Sequence, residues 1–405
     1  MRRLQALQWL QLCCATAFFL GAVVAWPARG EEKKPVTIGG TLGLTGAFAG
    51  PAAEYKAIYG YWLDRVNKKG GLLGRPVRMT IYNDEGTPTV AQGLYNRLIE
   101  QDHVDLLLAP FATFVGGAVV PIVLSHRMIL FNGGFVGINI FRAANGSIIG
   151  SYTYQEPDYT RGLFDLIKTV PLSRRPKTVA IFTAQSAFPL VVRDGADGIG
   201  GALNFAKQSG LRIVVNEQYP PNTTDFTGLV QKAKTAHADV LLELGLPDDS
   251  LQVVRTARQQ GYKPAILCVC GAQVSTLPAW SKLGVAAEGV IGTTVSWPNE
   301  RYNGLADIAA FFKGRGYQTV PTYGIVAYAI LQVLQQAVDG AKTLDQAKLK
   351  AYILSHEFHT AAGNFKYRPD GTPEFSQVVI QYLHGQNRVI WPAQDATSKA
   401  AIPMP

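Results

Sequence analysis

The residues of this chain that could carry chemistry are few: a His-Glu-Phe-His stretch, two cysteines, a threonine after an apolar run and a pair of glycines after another. His356-Glu357-Phe358-His359 comes nearest to a metal motif, but it is one residue short of the His-Glu-x-x-His spacing that zinc sites use. Cys268 and Cys270 stand two apart in an apolar run. On a strand they would point the same way yet be awkwardly placed to bridge, so each is expected as a buried thiol. The sequence has no Gly-x-Ser-x-Gly elbow, no Gly-Lys-Ser/Thr phosphate loop and no helix-opening Gly-x-Gly-x-x-Gly, so no enzyme, cofactor or metal site is expected. Thr113 is the more telling residue. Following the apolar run Val104 to Ala109, it can cap a helix beginning at Phe114, whose free N–H groups attract an anion. Gly133 and Gly134, after Met128 to Phe131, would let the backbone approach a ligand closely.

The elements that must position these residues alternate. Strand-like Pro35 to Leu42 precedes a helical stretch Pro51 to Lys69, then a strand Arg78 to Asn83 and a helix Pro88 to Gln101. Near-continuous apolar runs such as Val104 to Ala109 and Met128 to Phe131 read as buried parallel strands covered by the intervening helices. The rhythm restarts at Thr178 to Thr183, followed by a helix through Ala206, a strand Arg212 to Glu217, a helix from Asp225 and a strand Asp239 to Leu244. A helix Thr322 to Val338, a hairpin-like stretch Asn364 to Gln381 and an irregular tail from Trp391 complete the chain. The fold class is α/β, with two wound sheets. In such sheets ligands bind beyond the carboxyl ends of the strands, so the loops after Leu42, Ala109, Phe131, Thr183, Leu244 and Val269 face the candidate cleft.

Composition agrees with two lobes: 405 residues, 47% hydrophobic and 17% charged, give ample core for both. Arg2 and Arg3, the apolar run Ala15 to Ala25 and the small residues Ala28 and Gly30 read as a signal peptide over residues 1–30. The run is too short to span a bilayer. Its removal would leave Cys268 and Cys270 as the remaining cysteines, so no disulfide framework is expected. The formal charge of +9 is spread over single and paired basic residues such as Lys68-Lys69 and Arg174-Arg175, which does not suit nucleic-acid binding.

Ile38-Gly39 through Leu44-Thr45-Gly46, Asn67 to Gly74, Asn83-Asp84-Glu85, Thr224-Asp225-Phe226 and Val254 to Gly261 together resemble the leucine/isoleucine/valine-binding proteins of ATP-driven uptake systems, over nearly all of residues 36–385. The resemblance implies the type I periplasmic binding protein fold: two Rossmann-like lobes with parallel-type sheets, joined by a three-crossing hinge that shuts on ligand. Projected onto this chain, the crossings fall near Pro157, Val295 and Phe375. Lobe 1 would hold 35–157 plus 296–375, and lobe 2 would hold 158–295 plus 376–405. The resemblance also implies a monomer in the periplasm that hands its ligand to an ABC-type permease with ATPase subunits. A sensory module docking on a receptor would share the same fold and pocket.

By this resemblance Thr113 and its neighbouring backbone hold the ligand carboxylate, and Asn132 to Val136 line up with the second carboxylate contact, where Val136 replaces a Thr. The acid that pairs with a ligand ammonium aligns with Cys270, with Glu243 and Glu288 the only acids nearby. The family's two tyrosines align with Phe188 and Leu246. A buried ammonium would therefore lack its counter-charge, a loss of about 3–5 kcal/mol. Phe111, Phe114, Phe135, Phe188, Leu246 and Trp297 are left around the projected cleft, favouring a ring or branched hydrocarbon body. An aromatic or branched carboxylate is the expected ligand, with a branched-chain amino acid or amide as the alternative. Arg193 is expected as a solvated helix residue in preference to a carboxylate partner.

Overall fold

The structure, a computed structural model, describes residues 33–405 except 153–154, 199, 270–279, 295–296, 298–301, 318–319, 375–376 and 394. The chain divides into compact units Met1–Lys34 and Pro35–Pro405, and every element below lies in the second. The expected signal segment, the crossings at Val295 and Phe375, and Cys270 lie outside the described residues.

The first half winds β1 (Val36–Leu42), α1 (Ala49–Lys68), β2 (Val77–Asn83), α2 (Pro88–Glu100), β3 (Leu106–Leu108), α3 (Thr113–Ser125), β4 (Leu130–Asn132), α4 (Ile138–Ala144) and β5 (Ile148–Gly150). Among the described residues the strands form one parallel sheet in the order β2-β1-β3-β4-β5. Its central strand β3 is Leu-Leu-Leu, wholly buried, because helices cover both faces and neither tolerates a polar residue.

The second half runs α5 (Arg161–Thr169), β6 (Thr178–Ala184), α6 (Ala187–Asp194), α7 (Ala202–Gln208), β7 (Arg212–Tyr219), α8 (Thr227–Thr235), β8 (Val240–Leu244), α9 (Pro247–Gln259), β9 (Ile266–Val269) and β10 (Ile291–Thr294). Then come α10 (Leu305–Lys313), α11 (Thr322–Ala341), α12 (Gln346–Ser355), β11 (Phe358–Thr360), β12 (Gly363–Phe365), β13 (Val378–Leu383) and β14 (Gln386–Trp391). The second sheet has the order β14-β13-β10-β9-β8-β6-β7, and β13 joins β10 antiparallel. Helix α11 returns to the first half, packing on α1 and β4. It is buried along most of its length, and Ile325 to Leu331 read as an unbroken apolar run.

Three expectations need correction. The helix expected through Ala206 is two helices, α6 and α7, separated at Gly195 and Gly201, whose positive φ of 81° and 87° interrupts the helix. The hairpin expected over Asn364 to Gln381 is replaced by two antiparallel ribbons, β11 with β12 and β13 with β14. The second turns at His384 and Gly385, both at positive φ (53° and 74°), the two-residue turn that favours Asn-Gly and that a His-Gly pair conceals. The apolar runs also continue past their strands, so β3 and β4 are shorter than the hydrophobic stretches that contain them.

Candidate ligand-binding site

A cavity with about 640 Å³ of space free of atoms, part of it open to solvent, lies at the carboxyl ends of both sheets. The first half contributes Phe48, the loop Phe111 to Phe114, the loop Gly134 to Val136, Tyr152 and Tyr323. The second half contributes Tyr159, Ser186, Phe188 and Gly245 to Pro247. None of these described lining residues carries a charged side chain. Phe111 meets Phe48 at 5.4 Å and Tyr323 at 5.3 Å between ring centroids, while Phe188 meets Tyr159 edge to face at 4.9 Å.

The structure thus brings Phe111, Thr113, Phe114, Gly134, Phe135, Phe188 and Leu246 to one cavity. Gly133 does not line it. Its carbonyl accepts the hydroxyl proton of Tyr55, and a methyl there would meet Ile330 Cγ2 at 3.0 Å and Val326 O at 3.1 Å, so its close backbone approach is to α11. Gly134 does line the cavity, but what requires a glycine is Pro110, whose carbonyl a methyl would strike at 2.1 Å. Trp297 packs against Ile380 and Val389 and is not part of the lining. Arg193 is bound to Asp194 through two contacts of 2.7 Å with its side chain only 11% exposed. It is neither solvated nor a cavity residue.

Thr113 is the first residue of α3, not its cap. The cap position falls to Ala112, at φ 77° and ψ 138°, a conformation strained for a residue with a side chain. The Ala112 N–H is held by the Gly134 carbonyl at 3.0 Å, and this link fixes where the helix starts. Thr113 is 8% exposed and lines the cavity with its hydroxyl not used for capping.

Four helices begin at the wall: α3 at Thr113, α6 beyond Ser186, α9 at Pro247 and α11 beside Tyr323. Helix N-termini favour negative charge. Two of them already have acids. Asp248 and Asp249 stand in the first turn of α9, and Asp249 Oδ2 accepts from Leu246 N at 3.0 Å. Glu54, buried on α1, faces the Gly324 N–H of α11. Neither α3 nor α6 has an acid in its first turn, so their ends are where an anionic group is best placed.

Glu243, one of the two acids considered as a partner for a ligand ammonium, lies behind this wall. A methyl on Gly245 would fall 2.0 Å from Glu243 Oε1. The carboxylate is engaged by the Tyr219 hydroxyl at 3.2 Å and by Ser250 Oγ at 2.8 Å. Glu288 accepts from the His384 and Gly385 backbone, away from the cavity. Cys268 is buried, and burial raises its thiol pKa. The ring of His356 stacks on Tyr352 at 3.8 Å, and no group of three or more metal-ligating side chains occurs among the described residues.

Sequence reasoning missed Phe48, Tyr152, Tyr159, Ser186 and Tyr323. Ser186 could have been found as the residue opening the helix after β6. Tyr323 follows no strand, and only its three-dimensional return to the first sheet places it here.

Residues 35–386 match the periplasmic binding protein family. The chain belongs to that family and is a solute-binding protein of the type I fold. It is 24% identical over 361 residues to Leu/Ile/Val-binding protein homolog 7 of Brucella abortus, covering 84% of this chain and 87% of that one. Among solved structures it is similar to the branched-chain amino acid transporter substrate-binding protein LivJ of Streptococcus pneumoniae in complex with isoleucine (TM-score 0.75, 15% identity, 89% of this chain and 100% of the other). It is also similar to an ABC transporter solute-binding protein of R. palustris in complex with benzoate (TM-score 0.76, 16% identity, 91% and 99%).

Proposed function

We propose that this protein binds a carboxylate with an aromatic or branched apolar body, carrying no ammonium group, and delivers it in the periplasm to an ABC-type permease, making and breaking no bond itself. The observation that carries this reading is a cavity rich in Phe and Tyr whose described lining holds no charged side chain, yet which meets the acid-free starts of α3 and α6. An apolar body gains from burial against the rings. A carboxylate gains from the helix ends and the Thr113 hydroxyl, whereas an ammonium would find no counter-charge on the described wall. The isoleucine and benzoate complexes of the two structural relatives bracket the choice. A hinge near Pro157 completes the reading, with the lobes closing over the ligand and the leader of residues 1–30 removed on export.

Calorimetry of leucine against its deamino analogue isocaproate, with benzoate as a third ligand, tests it. The acids should bind and leucine should bind weakly. Submicromolar leucine with no binding of either acid would overturn the ligand class and leave the family intact.

A further inference from the structure

The cavity wall includes one polar atom whose hydrogen-bonding direction the surrounding structure dictates. Tyr55, fully buried on α1, lies outside the lining, and its hydroxyl donates to the Gly133 carbonyl. A carbonyl can only accept, and a phenol has one proton. Tyr55 therefore has none left for the hydroxyl of Tyr152, 3.1 Å away. That contact must run the other way, with Tyr152 donating to Tyr55. Tyr152 lines the cavity at 6% exposure, and with its proton directed at Tyr55 it offers a ligand only lone pairs.

We propose that Tyr152 is a specificity-determining residue which acts on the ligand solely as a hydrogen-bond acceptor, its polarity set by the relay Tyr152 to Tyr55 to Gly133, and that it selects apolar carboxylates whose body carries a hydroxyl. This rests on the reading of the cavity as a carboxylate site and names the second polar feature of the ligand. Burial raises the pKa of both phenols, so the relay keeps its protons through the physiological range. A ligand carbonyl in the same place would set two acceptors against each other, and desolvating an unpaired acceptor is unfavourable.

The test is a titration of the full chain with benzoate, meta- and para-hydroxybenzoate, and the corresponding formylbenzoates, whose added group only accepts. In the wild type at least one hydroxybenzoate should bind about three- to tenfold more tightly than benzoate, the worth of one neutral hydrogen bond, and the matching formyl acid more weakly than benzoate. Tyr152→Phe should erase the hydroxyl preference. Tyr55→Phe should free the Tyr152 proton and narrow the penalty on the formyl acid, a result that steric effects alone would not produce. If benzoate binds but no hydroxyl position helps, or if Tyr55→Phe leaves the formyl penalty intact, the relay does not set specificity and the carboxylate reading stands. If none of these acids binds the wild type, the reading of the cavity fails and the proposal fails with it.

Discussion

The ring of Phe135 rests on the bare backbone of Gly116: a methyl group at that glycine would stand 2.3 Å from Phe135 Cδ1. Glycine inside a helix is about 1 kcal/mol less favourable than alanine, so Gly116→Ala would stabilise α3 if nothing opposed it. Overpacking against a ring that is 2% exposed costs about 1–3 kcal/mol. The second effect wins. The variant should melt at lower temperature and bind its carboxylate ligand more weakly, because Phe135 is forced from its place in the cavity wall. Thermal melting with and without ligand reads both effects.

Thr113→Val keeps shape and removes a hydroxyl at the start of α3. Binding of a carboxylate should weaken by about 1.5–3 kcal/mol, the range for a hydrogen bond to a charged group. Benzamide, uncharged at the same position, should lose less. Equal losses for acid and amide would mean that Thr113 does not touch the charge.

Two buried acids make stability fall as pH rises. Burial raises Glu156 from the ordinary 4.5 to about 7 despite the Ile138 N–H it accepts. Glu54, whose oxygens make no well-formed hydrogen bond, is raised well above the ordinary 4.5 by desolvation. A carboxyl that holds its proton more tightly in the folded chain than in the unfolded one gives stability up to the unfolded value and loses it as pH climbs through the folded one. The loss attributable to Glu156 should therefore span roughly pH 4.5 to 7. Glu156→Gln should flatten that part of the denaturant-midpoint profile, and Glu54→Gln should flatten a fall that lies above the ordinary carboxyl range. An unchanged slope in both would show that neither acid is protonated in the folded chain.

Closure is read by small-angle scattering. Because the cavity is lined from both sheets, saturating ligand should reduce the radius of gyration by rotating one lobe against the other. An identical radius in both states would leave no hinge motion to explain.

The alternation of apolar runs with amphipathic stretches made the wound sheets legible, and the loops beyond β3, β4, β6 and β8, expected to face a cleft, line the cavity. What sequence could not supply was contact between distant segments. Gly133 and Gly134 look alike in sequence, yet Ile330 and Val326 of α11 close over one while the other reaches the cavity. Thr113 reads as a cap because threonine favours that position. The Ala112–Gly134 hydrogen bond, joining two loops, moved the helix start by one residue. Tyr152 gave no signal at all, since its role depends on where the proton of a residue on another element goes.

The antiparallel join between β10 and β13 has a consequence for how the chain is made. Strand β10 is synthesised well before β13, and α10, α11 and α12 emerge between them. Until Val378–Leu383 arrives, the second sheet ends on a bare edge whose Ile291 is an apolar side chain destined for the interior, the kind of edge that recruits other chains. Between the emergence of β10 and that of β13 the growing polypeptide is therefore open to edge-to-edge pairing with other chains.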